Sequence, residues 1–555
     1  MSEPDRQGSL SAAPTSADRQ VLDVRGLRVA FAGREVVRGV SLQCAPGECL
    51  AIVGESGSGK SVTARALLGL LGRDARVQTT RLEIAGTVLT GARVADPRWH
   101  RLRGRRVGFV LQDALGSLDP LVSIGRQVAE PLRAAGVSAA DARRRAIAAL
   151  DRAGMPAPEV RARQRPGELS GGLRQRALIA AAIAAGPRLL IADEPTTALD
   201  ASVQSRILTL LAELKQDGLA LLLISHDLRA VARVADRIAV MEHGKIVEAG
   251  DASQLLSSPR HPYTRTLIGA IPTGTHPDTV SETAPVLLQG DGITVTFPLP
   301  GRRRLRAVSG VDIAVHAGEA LGIVGESGSG KSTLLDVLLG LRRPEHGRVV
   351  LFGDPWSGIS ERQRRPVRRR LQSVGQDPQG SFDPRWTAEH ILREAIALAG
   401  TAGAAQTPTS LLGAVGLPGE LLRRHPAQFS GGQRQRLSIA RALAFQPEVL
   451  LCDEPVSALD VTAQAEILRL LAELTTGRGI ALVLVSHDLA VIRKSCDRVL
   501  VMHDGQVVER GPVDAVLVRP THPYTQRLLA AEGMTPGLAA VSRGSERCIQ
   551  SGREV

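Results

Sequence analysis

The sequence predicts an α/β fold built twice along one chain. Three observations carry that prediction. The octet GESGSGKS stands at residues 54–61 and again at residues 325–332. Each copy lies between a short apolar run, 49–53 or 320–324, and a helical stretch, 62–71 or 333–341. Four more stretches then recur in the same order: LSGGLRQR and FSGGQRQR from Leu169 and Phe429, LLIADEPTTALDASVQ and VLLCDEPVSALDVTAQ from Leu189 and Val449, LLISHDL and VLVSHDL from Leu222 and Val483, HPYT from His261 and His522. A repeat of ~250 residues is a duplicated domain, too long for a solenoid unit.

The octet follows G-x-x-x-x-G-K-S, a phosphate-binding loop. The apolar run before it reads as a buried parallel strand. Gly54, Gly57 and Gly59, and Gly325, Gly328 and Gly330 in the second copy, let the backbone curl so that several N–H groups face one phosphate. The helix that follows presents its positive end to the same anion. Lys60 and Lys331 are placed to reach the β- and γ-phosphates, and Ser61 and Ser332 to ligate Mg²⁺. A glycine turn that binds nothing is the bland reading of one copy; two identical copies in the same strand–loop–helix setting remove it.

The runs from Leu189 and Val449 read as further buried strands, each ending in Asp-Glu. A carboxylate at a strand end suits a metal, which points to Asp193 and Asp453. The next residues, Glu194 and Glu454, are placed to polarise an attacking water as general bases. An Asp-Glu pair by itself is a common helix cap; tied to a phosphate loop it reads as catalytic.

Length and composition bound the rest. At 555 residues the chain holds more than one domain. The boundaries read as a disordered tail over 1–20, a first domain over 21–271, a polar, turn-rich linker over 272–285, a second domain over 286–533 and a C-terminal tail over 534–555. No apolar run approaches the ~20 residues that span a bilayer, and the N-terminus lacks the apolar segment of a signal peptide. The five cysteines have no metal or disulfide spacing, which fits a reducing compartment; Cys49 and Cys452 read as strand core. Net charge is +13, favouring anionic partners such as nucleotides or lipid headgroups. Part of it lies in ERQRRPVRRR over 361–370 and in Arg302, Arg303 and Arg304, each read as a solvated face. No basic module with interleaved aromatics is present, so no nucleic-acid partner is expected.

Octet, glutamine loop, SGG, Asp-Glu, Leu-Asp and Ser-His in this order resemble the nucleotide-binding domain of ABC ATPases, over nearly the whole chain and twice. The resemblance implies two tandem ABC-type P-loop nucleotide-binding domains, each with a RecA-like core and a helical subdomain, that bind ATP and Mg²⁺. It makes Gln112 and Gln376 the glutamine-loop residues at the metal, Ser170-Gly171-Gly172 and Ser430-Gly431-Gly432 the signature, Asp200 and Asp460 the ends of the D-loops, and His226 and His487 the histidines that contact the γ-phosphate. It also implies head-to-tail closure, with each ATP held between one half's P-loop and the other half's SGG. Ser170→Arg is then expected to abolish azido-ATP labelling at the site built on Lys331, and Ser430→Arg at the site built on Lys60; crosslinks showing closure only between separate chains would contradict this. Phe31 and Phe297 stand roughly where the family stacks adenine on an aromatic, though a strand-packing role fits each as well.

The stretches 111–132 and 375–396, and P-x-HPYT-x-x-L from Pro259 and Pro520, are similar to the ATPases of dipeptide, oligopeptide and nickel importers. That resemblance implies an ATP-hydrolysing energy-coupling subunit on the cytoplasmic face of a bacterial inner membrane. Its partners would be two permease subunits and an extracytoplasmic solute-binding protein. Leu115, Leu118, Phe382 and Trp386 are the apolar candidates for contact with a permease helix, and packing of the helical subdomain fits each of them as well. A soluble ABC ATPase acting on ribosome or DNA, and a drug-exporter ATPase, stay open as alternatives. The former usually carries a long charged linker or zinc insertions, and the latter seldom carries HPYT.

Overall fold

A computed structural model of the chain describes residues 20–72, 74–92, 96–111, 114–197, 199–271, 284–298, 304–378, 380–457 and 459–532. Gln112, Arg302, Arg303, nearly all of the linker and of both tails, and the side chain of Leu115 lie outside them. The chain divides into two compact units, Met1–Leu199 with Arg206–Ile268, and Asp200–Ser205 with Gly269–Val555.

Each unit contains a six-stranded sheet whose central strands are apolar and buried on both faces. In the first unit the order is Lys245–Asp251, Arg237–Glu242, Cys49–Val53, Ala220–Ile224, Leu189–Asp193, Val107–Val110. All neighbours are parallel except the first pair. The second unit repeats this with Gln506–Pro512, Arg498–His503, Ala320–Val324, Ala481–Val485, Val449–Asp453 and Leu371–Val374. The register matters for function. Asp193 pairs with Ile224, and Ile224 is level with Ile52. The residues that follow these three strands therefore leave the sheet at one end, where ligands of parallel α/β sheets bind.

Sequence patterning did not foresee a second, antiparallel sheet in each unit. Arg34–Cys44, Leu22–Phe31, Arg81–Ile84 and Thr87–Val88 form it in the first, with Ala75–Gln78 also paired to Leu22–Phe31, and Arg304–His316, Val286–Pro298, His346–Leu351 and Asp354–Pro355 form it in the second.

The two P-loop helices run Lys60–Leu67 and Lys331–Leu338, shorter at the far end than the apolar pattern suggests. Gly69 and Gly340 stop them in the left-handed region at φ 60° and 69°. In each, the N–H two residues past the cap reaches a carbonyl five residues back, Leu70 to Arg65 and Leu341 to Asp336, a Schellman ending.

A helical layer completes each unit: Ile124–Ala134, Ala139–Arg152 and Gly171–Ile183 in the first, Ala388–Ala399, Pro408–Ala414 and Gly431–Leu443 in the second. Its packing decides between the two roles open to two of the apolar residues named above. Leu118 is 4 % and Phe382 6 % exposed, so neither offers its side chain to a partner; the Arg441 guanidinium further covers the Phe382 ring at 4.9 Å. Trp386 is half-buried against His390, with ring centroids 4.4 Å apart.

The arginine run becomes the helix Glu361–Arg368. Arg364 and Arg368 lie over the Trp356 ring at 5.8 and 5.5 Å, Arg368 pairs with Glu361 at 2.7 Å, and Arg370 pairs with Glu448. Much of this charge is used inside the unit, while Arg362, Arg365 and Arg369 stay exposed. Cys44, Cys49, Cys452 and Cys496 are free and buried; burial pushes the Cys44 thiol up to about 12, so it is inert at neutral pH. No helix among the described residues is long and apolar enough to cross a membrane.

Candidate functional site

Two P-loops, two acidic strand ends and two histidine loops gather at the same end of their own sheets. In the first unit Gly54 leaves Cys49–Val53 and Gly59 caps the helix from Lys60. Gly54, Gly57 and Gly59 all have positive φ, at 152°, 83° and 106°; Gly325, Gly328 and Gly330 repeat this at 151°, 85° and 103°. A Cβ on Gly54 would stand 2.2 Å from the Met241 carbonyl oxygen, and one on Gly325 2.3 Å from that of Met502. The loop closes so tightly on the neighbouring strand that only glycine fits.

Lys60 is 5 % exposed and folds back over its own loop. Its Nζ donates to the carbonyls of Gly54 and Glu55 at 2.8 and 2.7 Å. Lys331, 7 % exposed, does the same to Gly325 and Glu326 at 2.7 and 2.9 Å. Burial depresses the Lys331 ammonium, and the charges of Glu454 and Asp453 pull the other way.

Ser61 Oγ donates to Asp193 Oδ1 at 3.0 Å. Asp193 is fully buried, and its Oδ2 has no hydrogen-bond partner. Burial raises its carboxyl; the Ser61 hydrogen bond opposes, and the charge of Glu194 adds to the rise. Asp453 is raised by burial in the same way, against the hydrogen bond of Ser332. An orphaned buried carboxylate oxygen beside a hydroxyl is a donor set that fits Mg²⁺. Among the described residues no cluster of three His, Cys, Asp or Glu side chains is placed to hold a metal. A cation here would share its coordination with phosphate oxygens.

Glu194 and Glu454 hold the least expected geometry. Their φ angles are 50° and 46°, left-handed for a side chain that rarely adopts it, at a cost of about 1–2 kcal/mol. The Glu194 N–H donates to the Ile224 carbonyl at 2.9 Å and that of Glu454 to Val485 at 3.0 Å. This turns each carboxylate towards the neighbouring strand's loop. Glu194 Oε1 lies 3.2 Å from His226 Nδ1, and Glu194 Oε2 accepts from Thr197 at 3.0 Å. Glu454 Oε1 lies 3.4 Å from His487 Nδ1, and its Oε2 accepts from Gln376 at 2.9 Å. Burial pushes both glutamates up, but the hydrogen bond and charge of the histidine outweigh it and leave each carboxyl below its usual range. Conversely, burial lowers His226 and His487, and the glutamates carry both above the usual value.

The signature serines occupy a different place. Ser170 and Ser430 are exposed and head the helices Gly171–Ile183 and Gly431–Leu443 in the helical layer. They differ in one respect. Ser430 Oγ accepts from the Gln433 N–H at 3.2 Å and Gln433 Oε1 from the Ser430 N–H at 3.1 Å, a capping box. Leu173 stands at the matching place in the first half, and the Ser170 side chain makes no cap. Phe31 is half-buried beside the core of the first unit. Phe297 is half-buried with the Arg342 guanidinium 4.6 Å over its ring.

HPYT proves to be a helix start. His261 and His522 accept the N–H of Tyr263 and Tyr524 through Nδ1 at 3.3 and 3.2 Å. The tyrosine hydroxyls reach the P-loops: the N–H of Glu55 donates to Tyr263 and that of Glu326 to Tyr524, both at 2.9 Å. In the sequence HPYT reads as a helix start with an anchoring ring, and both tyrosines of the chain fall in it; what the ring is anchored to was not legible there.

Phosphate loop, acidic strand end and histidine loop on a parallel sheet, beside a helical layer opened by SGG, define an ABC-type ATPase present twice. A family model described as "ABC transporter" matches residues 37–197 and 308–457. One described as "Oligopeptide/dipeptide transporter, C-terminal region" matches 247–290 and 508–536. The chain is 40 % identical over 558 residues to the glutathione import ATP-binding protein GsiA of Salmonella paratyphi A, covering 92 % of this chain and 89 % of that one. It is 41 % identical over 531 residues to the peptidoglycan transport ATP-binding protein YejF of Agrobacterium fabrum, covering 92 % and 96 %. The archaeal ribosome recycling factor aABCE1, solved with the ribosomal stalk protein aP1, aligns over 88 % of this chain and 89 % of its own, with TM-score 0.59 and 20 % identity; that likeness shows the fold alone.

The chain belongs to the ABC transporter family. It is a fused tandem ATP-binding subunit of the oligopeptide/dipeptide importer type, an ATPase that works with membrane permeases.

Proposed function

We propose that both halves hydrolyse ATP and that the energy drives uptake of di- or oligopeptides, or of a related small solute such as nickel. The observation that carries this is the duplication of the whole set: glycine loop, lysine, serine–aspartate pair, strained glutamate and histidine recur in both units, the lysines and the glutamate–histidine pairs at nearly the same distances. Neither half has lost a group that hydrolysis needs.

Lys60 and Lys331 are the residues for the β- and γ-phosphates. Ser61 with Asp193, and Ser332 with Asp453, are those for Mg²⁺, joined by Gln112 and Gln376. Mg²⁺ held by these residues would supply charge neutralisation to the phosphates. Glu194 and Glu454 take the proton of the attacking water. Each carboxylate is ionised and aimed by its histidine, which suits a base that must start unprotonated. His226 and His487 are the residues for the γ-phosphate. Ser170-Gly171-Gly172 and Ser430-Gly431-Gly432 offer helix-terminal amides to a phosphate. Phe31 and Phe297 are the candidate adenine platforms; with Arg342 already on one face, Phe297 has only its other face for a base.

The peptide class is supported by the C-terminal region matched in both halves, and by relatives named for import of glutathione and transport of peptidoglycan. The partners are two permeases and a solute-binding protein, and the place of work is the cytoplasmic face of the inner membrane. Affinity purification from native membranes is expected to recover the permeases, and deletion of the gene to abolish uptake of one solute among di- and oligopeptides and nickel. Uptake of all of these unchanged, with the chain found on ribosomes or DNA instead, would replace this reading by that of a soluble ATPase.

A further inference from the structure

The same contact joins two distant segments in both halves. Tyr263 and Glu55 are 208 positions apart, and Tyr524 and Glu326 are 198 apart, yet each hydroxyl accepts the glutamate's N–H at 2.9 Å. Glu55 and Glu326 are the second residues of their octets. Their carbonyls, in turn, hold the ammonium groups of Lys60 and Lys331 at 2.7 and 2.9 Å. One residue thus has its N–H on a tyrosine and its C=O on the P-loop lysine.

The tyrosines are firmly mounted. Each is the second residue of its helix, Pro262–Gly269 or Pro523–Ala531, behind a capping histidine. The amides just before the helix are held by a glutamate on the edge strand of the same sheet. Glu248 accepts from Arg260 and His261 at 2.9 and 3.0 Å, and Glu509 from Thr521 and His522 at 2.7 and 3.2 Å. Tyr524 is 3 % exposed and stacks on His503 with centroids 3.9 Å apart. Burial pushes its hydroxyl up to about 12, so it keeps its proton at neutral pH.

We propose that Tyr263 and Tyr524 are positioning residues for nucleotide binding: each hydroxyl fixes the second residue of the P-loop in its own half, and with it the carbonyl that docks the loop's lysine. The importer-type C-terminal region is thereby part of the ATP site's scaffold. This rests on the P-loops being the ATP sites.

Tyrosine to phenylalanine removes the acceptor and keeps the ring. Losing that bond lets the loop shift, which weakens ATP binding in ground and transition states alike. Uniform loss of that kind raises KM and leaves kcat unchanged. Tyr263→Phe with Tyr524→Phe is expected to raise KM for ATP, and Kd for a fluorescent ATP analogue, about five- to tenfold, with kcat at saturating ATP within about twofold. Each single variant is expected to weaken azido-ATP labelling only of its own half. A purely packing tyrosine predicts a lower Tm with KM, Kd and labelling unchanged, and that result would overturn the proposal. Hydrogen exchange on the full wild-type chain tests it without any variant: the Glu55 and Glu326 amides should be protected in the absence of nucleotide, and exchange at unstructured-chain rates would overturn it too. Lys60→Ala with Lys331→Ala separates the two readings. If those variants bind ATP normally, the P-loop reading fails; if they lose binding while the phenylalanine variants bind as wild type, only the tyrosine role fails.

Discussion

Glu194→Gln combined with Glu454→Gln is expected to slow ATP turnover by roughly 10²–10⁴-fold while ATP binding survives. The amide is nearly the same size and cannot accept a proton from water. Both carboxylates sit on backbone held at φ 50° and 46°, and the hydrogen bonds from Glu194 to Ile224 and from Glu454 to Val485 hold that backbone whatever the side chain. The phosphate loops are untouched, so affinity stays. Phosphate release and equilibrium nucleotide binding, measured on the same preparation, check both halves of the statement. Turnover at the wild-type rate would remove the glutamates from the chemistry.

Gly54→Ala combined with Gly325→Ala acts on binding instead. The new methyl groups would lie 2.2 and 2.3 Å from the Met241 and Met502 carbonyl oxygens. Backbone oxygens cannot rotate away as side chains do. Overpacking of this kind costs about 1–3 kcal/mol, and a side chain at φ near 150° adds strain. The cheapest relief is for the loop to leave its nucleotide-binding form. Where the loss reaches ~3 kcal/mol, Kd for ATP rises roughly 100-fold. Gly57 and Gly328, whose Cβ positions meet nothing within 4 Å, are the controls: alanine there strains only φ, and a smaller loss is expected. Titration with a fluorescent nucleotide measures both pairs, and equal effects would mean that the close approach to the neighbouring strand is unimportant.

What the sequence showed, it showed through local motifs. The strands Cys49–Val53 and Ala320–Val324 stand where the apolar runs place them, because five consecutive buried residues leave no other reading beside a glycine loop. Serine, aspartate and histidine met at the strand ends because a parallel sheet brings the ends of its strands together. Three things were not legible. The left-handed backbone of Glu194 and Glu454 is imposed by the neighbouring strand's carbonyl, and nothing in the letters D-E marks it. The burial of Leu118 and Phe382 depends on how the helical layer packs, so a leucine offered to a partner and a leucine in a core read alike. The contact from Tyr263 to Glu55 spans most of a domain, and short-range periodicity carries no signal for it. Arginines 364 and 368 make the same point for charge: a basic run that reads as solvated face folds in part onto Trp356.

The proposed function puts two complete ATP sites on one chain. Its most direct test is the number of nucleotides bound per chain at saturation, by equilibrium dialysis of the Glu194→Gln, Glu454→Gln double variant with ATP and Mg²⁺. The structure predicts two ATP per chain, falling to one when either Lys60 or Lys331 is also replaced by alanine. One ATP per chain before any lysine is changed would contradict it.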